Sequence, residues 1–386
     1  MTESGRGAEA EASGRAANLL ASAATGALDL GVAISLSALV FNGPLAAGAG
    51  RATASFLIAA AVTIGVVGAL SRMPVVIAGS QDTAAVVLTA VAASIATSGL
   101  DTTTAVATVF VTMALTSLFV AAAFFFVGAR HLTALVRYLP GPVITGFAAG
   151  TGWLLLRGGI EVMRRDALRI SELDVIFAWP SLRLVLPGLA LAIGIVAVLS
   201  SRLNNVIASI AIIGATVVFH VVGRSISSLE ALEEGGWLIG PFDNATGFRP
   251  VGPSDLQNAD WGVIVGHALP IVAVIGVAVV GLLLNLGGLE SVLDTEIEMD
   301  REVSISGLAN AIAAAAGGNP GWALMGSTTL AHQLGARGRS ASLIIAGMAI
   351  ALVAIGPDVI GLMPRTVAGG VLGGLGINLL LSLIHI

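Results

Sequence analysis

The sequence has no cysteine, no lysine and few charges of either sign. Without cysteine there is no disulfide framework, no thiolate-held zinc and no thiol nucleophile. Every basic residue is an arginine, which excludes a mechanism built on a lysine amine. Charged residues are 11% of the chain, against about 25% in a soluble domain. There is no basic arm, and a net charge of −5 offers no footprint for nucleic acid. No HExxH and no GxSxG stands in the chain, so an intramembrane enzyme lacks its usual chemistry.

What is present is apolar. Hydrophobic residues make up 56% and mean hydropathy is +0.96. Such a chain cannot hide its apolar surface in one water-facing core, so it reads as an all-α polytopic membrane protein. Its 49 glycines fit, because small residues let membrane helices approach closely. The polar start, residues 1–18, lacks the basic region and cleavage site of a signal peptide and reads as a cytoplasmic tail.

Apolar runs approaching the spanning length of about 20 residues recur at Leu19–Phe41, Ala52–Leu70, Ala84–Ala96, Thr104–Val127, Val143–Leu156, Leu184–Ser200 and Val206–Val222. They continue at Val263–Leu289, Val303–Ala316, Trp322–Leu334, Ser342–Ile355 and Thr366–Leu381. The third and the tenth are too short to span as straight helices. Each follows a breaker run, Gly79-Ser80-Gln81-Asp82 and Gly317-Gly318-Asn319-Pro320-Gly321. Two interrupted segments in matching places point to a binding site at the membrane midplane. The polar connection 224–262 reads as a solvated loop between residues 19–223 and 263–381. The arginines divide almost evenly between the two sides, so the positive-inside rule does not orient the chain. Asp29 lies within the first apolar run, where a carboxylate is costly and often functional. Trp322 stands at the second break, where it would shape a pocket. His332 reads as a packing residue, and Trp153, Trp179, Trp237 and Trp261 as interface aromatics.

The stretch from Leu286 to Arg339 organises the rest. Glu290 and Asp294 close an apolar run and, four apart, would share a helix face. Two poorly solvated carboxylates repel each other, and a shared proton or sodium ion relieves both. The plainer reading makes Asp294 the start of a solvated acidic loop that continues through Glu296, Glu298, Asp300 and Glu302.

Several motifs here resemble the sulfate permease (SulP) family of inorganic anion transporters. They are Glu290-Ser291, Asp300-Arg301-Glu302, Gly307, Ala309-Asn310 and Gly317-Gly318, with Leu139-Pro140-Gly141-Pro142 in the fifth segment. Gly335–Arg339 and Met363-Pro364 match further on. The resemblance implies an inverted repeat of two seven-helix halves, like the uracil permeases, with about 12 of 14 helices present. Helices three and ten become half-helices whose N-termini face each other across the substrate. Carried across, the site positions are Gln81, Asp82 and Thr83 on one, and Ala323, Leu324, Met325, Gly326 and Ser327 on the other. Helix N-termini hold oxyanions without a full cation. Asp82 is awkward beside an anion and reads first as a helix cap. The family position of Glu290 carries a carboxylate tied to coupling, which makes Glu290 and Asp294 the expected proton or sodium site.

The implied function is secondary active transport of a small anion such as sulfate, bicarbonate or a dicarboxylate, in the cell inner membrane. The full-length protein would be a homodimer in the bilayer, with no cofactor beyond a coupling H+ or Na+. Ser327 stands where many members carry Arg, and Ser80-Gln81-Asp82 where many have Pro, which puts sulfate itself in doubt. The chain stops inside an apolar helix, before the expected last helices and cytoplasmic STAS domain. Its end, Leu-Ser-Leu-Ile-His-Ile, resembles a translated sequencing adaptor, so residues 382–386 are expected to be a non-native tail. The rivals are a nucleobase permease on the same fold and a non-transporting membrane sensor. Nucleobase recognition would need carboxylates on both the eighth and tenth helices, and Trp322–Thr329 has none.

Overall fold

The computed structural model describes residues 3–134, 141–165, 168, 177–199, 206–242 and 248–382. Leu139-Pro140 of the fifth-segment motif and residues 383–386 of the tail lie outside the described residues. The chain opens with α1 (Glu3–Val40), a 3-10 turn (Gly43–Gly48) and α2 (Ala49–Leu70). These lead into β1 (Ala78–Ser80) and α3 (Asp82–Ala96), then α4 (Thr102–Ala129), α5 (Gly141–Arg164), α6 (Trp179–Leu199) and α7 (Val206–Ile226). Short helices α8 (Leu229–Glu234), α9 (Pro253–Asn258) and α10 (Trp261–Gly266) precede α11 (Ala268–Leu293) and α12 (Met299–Ala314). Then β2 (Gly321–Ala323) opens onto α13 (Met325–Gln333), followed by α14 (Gly338–Ile355), α15 (Pro357–Gly361) and α16 (Arg365–Ser382).

Among the described residues, six helices are long and apolar enough to cross a membrane. The helices α3 and α13 are not among them. With 15 and 9 residues they reach about 22 and 14 Å at 1.5 Å per residue, against a hydrocarbon core of about 30 Å. Both third and tenth apolar segments are therefore half-helices, as their length and breaker runs indicate.

What precedes each half-helix explains how they come together. The strands β1 and β2 pair antiparallel, with Ala78 opposite Ala323, Gly79 opposite Trp322 and Ser80 opposite Gly321. Non-helical backbone at membrane depth must be satisfied inside the protein, and here it is. Gln81 N–H donates to Pro320 O (3.1 Å) and Leu324 N–H to Ile77 O (2.9 Å). Asn319 Nδ2 donates to Gln81 O (2.7 Å). The Thr328 hydroxyl accepts from Ile77 N–H (2.9 Å) and donates to Ile77 O (3.1 Å). Only glycine fits at 321, since a Cβ there would lie 2.6 Å from Gly79 O.

Small residues set the rest of the packing. A Cβ on Gly159 of α5 would sit 2.5 Å from Gly369 O of α16, and one on Gly376 would sit 2.5 Å from Gly152 O. The two helices cross with backbone nearly touching backbone, the arrangement that small residues permit in membranes.

The connection 224–262 departs from the expected solvated loop. It carries α8, α9 and the start of α10, and Leu238 and Ile239 are buried. Asp255 of α9 is buried and receives Arg51 of α2 in a two-pronged pair, Nη1–Oδ1 2.7 Å and Nη2–Oδ2 2.9 Å. Arg249 Nη2 adds a contact of 2.6 Å, and Gly252 N–H one of 3.0 Å. Burial alone would raise the Asp255 carboxyl. The Arg51 and Gly252 hydrogen bonds, with the charges of Arg51 and Arg249, outweigh it and hold the carboxyl below the usual range. Arg51 lies in the first turn of α2, just before the apolar run Ala52–Leu70, and nothing in the sequence near it names the partner that ties this connection to the bundle. The connection also breaks the eighth apolar segment, which divides into α10 and α11 at His267.

Candidate functional site

The N-termini of α3 and α13, set side by side by β1 and β2, open on a cavity of about 460 Å³. Its walls come from α1, α2, α5, α11 and α16 as well as from the two half-helices. The first helical bond of α13 is Thr328 N–H to Leu324 O (3.0 Å), so the N–H groups of Gly326 and Ser327 lie ahead of its ladder. Met325 N–H is taken by Asn285 Oδ1 (3.2 Å). Beside Gly326 there is open space, for a Cβ built there meets no heavy atom within 4 Å.

Ser327 faces two ways at this end. Its backbone belongs to the N-terminus, and its Oγ donates to Asp29 Oδ1 of α1 at 2.5 Å. The other oxygen, Asp29 Oδ2, is buried without a protein partner. On α3, Asp82 turns its Oδ1 back onto Thr83 N–H (2.7 Å). That is a capping contact, although Asp82 is the first residue of the helix and Gln81 the N-cap. Gln81 Nε2 donates to Trp322 O (3.3 Å). Ser80 Oγ, Thr83 Oγ1 and Trp322 Nε1 are buried with no partner, and all three residues line the cavity. Trp322 is fully buried, held edge-on by Phe124 with centroids 5.9 Å apart.

The structure thus gathers Gln81, Asp82, Thr83, Leu324, Met325, Gly326 and Ser327 around one space. Ala323 is buried in β2 opposite Ala78 and is not in the lining. Glu290 and Asp294 stand away from the cavity. Helix α11 ends at Leu293, and Asp294 is its exposed left-handed C-cap (φ 47°), so the two carboxylates do not share a helix face. Glu290 Oε1 instead accepts Ile297 N–H (3.0 Å), closing the turn that follows. His332 is exposed, not packed.

Sequence reasoning passed over Thr151, Asn285 and Asn378, which line the cavity from α5, α11 and α16. Their signal was present: each is a polar residue inside an apolar helix.

Comparison with known proteins agrees with this architecture. The profile of the sulfate permease family matches residues 16–386. The chain belongs to the sulfate permease family. It is similar to the transmembrane domain of the cyanobacterial bicarbonate transporter BicA, with a TM-score of 0.71 and 19% identity over 94% of this chain and 89% of that one. The murine anion transporter Slc26a9 in its inward-facing state gives 0.68 and 15%, over 95% of this chain and 60% of that one. A curated relative, the vacuolar basic amino acid transporter VSB1 of Saccharomyces cerevisiae, is 23% identical over 283 residues. Those residues are 69% of this chain and 27% of the yeast protein, so the chain spans about a quarter of that relative's length. The solved structures share the inverted-repeat fold with this multi-pass membrane protein.

Within the sulfate permease family motif, several residues hold the frame. Asn310 is fully buried and brackets Gly321, its Nδ2 donating to Gly321 O (2.6 Å) and its Oδ1 accepting Gly321 N–H (3.0 Å). Asp300 accepts from the Thr133 hydroxyl (2.8 Å) and meets His131 Nδ1 (2.7 Å). Glu302 Oε1 accepts Arg72 N–H (3.2 Å). Gly307 lets α12 press on α4, where a Cβ would be 3.2 Å from Ala121 O. These residues hold α12, β2 and α4 where the half-helix end must be.

Proposed function

We propose that this chain is a secondary transporter of the inner membrane that binds a small carboxylate or oxyanion substrate between α3 and α13. The observation that carries the reading is the pairing of β1 with β2, which sets two half-helix N-termini on one cavity. Such ends attract negative groups through unsatisfied N–H donors and the helix dipole. The N–H groups of Gly326 and Ser327, with the open space beside Gly326, suit an anionic group at α13. The N-terminus of α3 is already occupied by Asp82, so the anion seat is asymmetric. The names of similar proteins support the class, since bicarbonate and amino acids both carry a CO₂⁻-type group. Alternating access follows from one repeat rocking against the other around the fixed cavity.

Purified chain in proteoliposomes, given labelled bicarbonate, sulfate, small carboxylates, amino acids and uracil in turn, tests this. Uptake of at least one CO₂⁻-bearing or oxyanion compound is expected, with none of uracil. Uptake of uracil alone would return the site to a nucleobase permease.

A further inference from the structure

We infer that the cavity recognises a substrate carrying a protonated amine next to its carboxylate, that is, an α-amino acid; this rests on the reading that substrate binds between α3 and α13. Among the described residues no arginine or histidine lines the cavity, while two carboxyl side chains, Asp29 and Asp82, do. A bare anion entering this space would meet two carboxyl groups and no cationic side chain among the described lining residues. Asp29 sharpens the point, because its Oδ2 is buried and unpartnered while Oδ1 is taken by Ser327. A buried carboxylate with a free oxygen is costly unless a cation faces it. Among the described lining residues none supplies one, which leaves the role to a proton, to a cation from solvent or to a cation that the ligand carries; we take the last.

Geometry then narrows the ligand. Ser327 contributes a backbone N–H ahead of the α13 ladder, suited to a carboxylate, and its own hydroxyl holds Asp29. The anion-seeking and cation-seeking elements are thus parts of, or bonded to, a single residue. A ligand that satisfies both at once carries a cationic and an anionic group close together, as an amine and a carboxylate on one carbon do.

Size and the remaining polar atoms agree. The cavity of about 460 Å³ has room for a ligand larger than bicarbonate. Ser80 Oγ, on a residue 7% exposed, and Trp322 Nε1, on one fully buried, also lack partners. They await polar atoms of a ligand larger than a triatomic group.

The test measures thermal stabilisation of the purified full chain by each of the twenty L-amino acids, by propionate and by bicarbonate, with apparent affinity read from titration. At least one amino acid is expected to bind ten-fold or more tightly than propionate, which is alanine without its amine. In Asp29→Asn that preference is expected to fall toward one. Because the wild-type comparison stands without the variant, poor folding of Asp29→Asn leaves the test intact. If propionate or bicarbonate binds as tightly as every amino acid, or none of the twenty binds, the inference is overturned. The same titrations on Gly326→Trp separate the layers: where the wild type shows no amine preference, loss of every ligand in this variant keeps the site and overturns only the amine. Binding undisturbed by Gly326→Trp removes the site reading and this inference together.

Discussion

Ser327 and Asp29 are 298 positions apart in the chain and share a hydrogen bond of 2.5 Å. That contact joins the start of a half-helix to the interior of α1, and it fixes one carboxylate oxygen at the edge of the cavity. Ser327→Ala leaves both oxygens of Asp29 without a protein donor. A hydrogen bond to a charged group is worth about 1.5–3 kcal/mol, so the variant is expected to unfold at lower temperature and to bind substrate at least ten-fold more weakly. Thermal unfolding and ligand titration of Ser327→Ala, Asp29→Asn and the double variant measure it. The double variant is expected to lose less than the sum of the two, as coupled partners do; strict additivity would mean that the contact carries no energy.

Asn310 tests the frame rather than the seat. Its side chain satisfies both the N–H and the C=O of Gly321, and truncation leaves two buried backbone groups open at about 1–3 kcal/mol each. Asn310→Ala is expected to insert into membranes yet lose most uptake and several kcal/mol of stability. An alanine variant with wild-type melting temperature and wild-type uptake would show that the β1–β2 crossing holds without it.

A third expectation concerns acid. The Asp255 carboxyl is held below its ordinary value by Arg51 and Arg249. A depressed carboxyl contributes stability that is fully present above the unfolded value of about 3.9 and is lost as pH falls through the lower folded value. Melting temperature should therefore hold from pH 7 to about 5 and then drop, as the 224–262 connection releases from α2. In Asp255→Asn the buried Arg51 loses its counter-charge, a change that costs about 3–5 kcal/mol for a buried pair. The variant should begin lower at pH 7 and show a shallower acid limb, and parallel curves for the two proteins would locate the acid response elsewhere.

Glu290 was the expected coupling residue, and the structure gives it a local partner, Ile297 N–H. Glutamine keeps the accepting oxygen in that bond. Uptake by Glu290→Gln is expected to follow imposed pH and sodium gradients as the wild type does. Loss of the gradient response, with exchange retained, would restore the coupling assignment to Glu290.

Much of this was legible in the sequence because it depends on local chemistry. The breaker runs Gly79–Asp82 and Gly317–Gly321 interrupt apolar segments, and those interruptions mark the two half-helices. What could not be read is non-local. Nothing near Ala78 announces that it pairs with Ala323, and nothing near Asp29 names Ser327. Arg51 within α2 resembles an isolated polar residue until Asp255 meets it from 204 positions away. The Glu290–Asp294 spacing assumed that the helix continued, whereas the left-handed backbone at Asp294 ends it. Asn285 and Asn378 were visible as polar residues in apolar helices, but their convergence on one cavity needed the fold.

The most direct measurement is uptake by Gly326→Trp in proteoliposomes. No heavy atom lies within 4 Å of a Cβ at this position, so a side chain placed here starts into open space beside the cavity that Gly326 lines. With insertion and monodispersity equal to wild type, uptake of whichever labelled substrate the wild type carries is expected to fall at least ten-fold. Wild-type uptake through that variant would contradict a substrate site between the two half-helices.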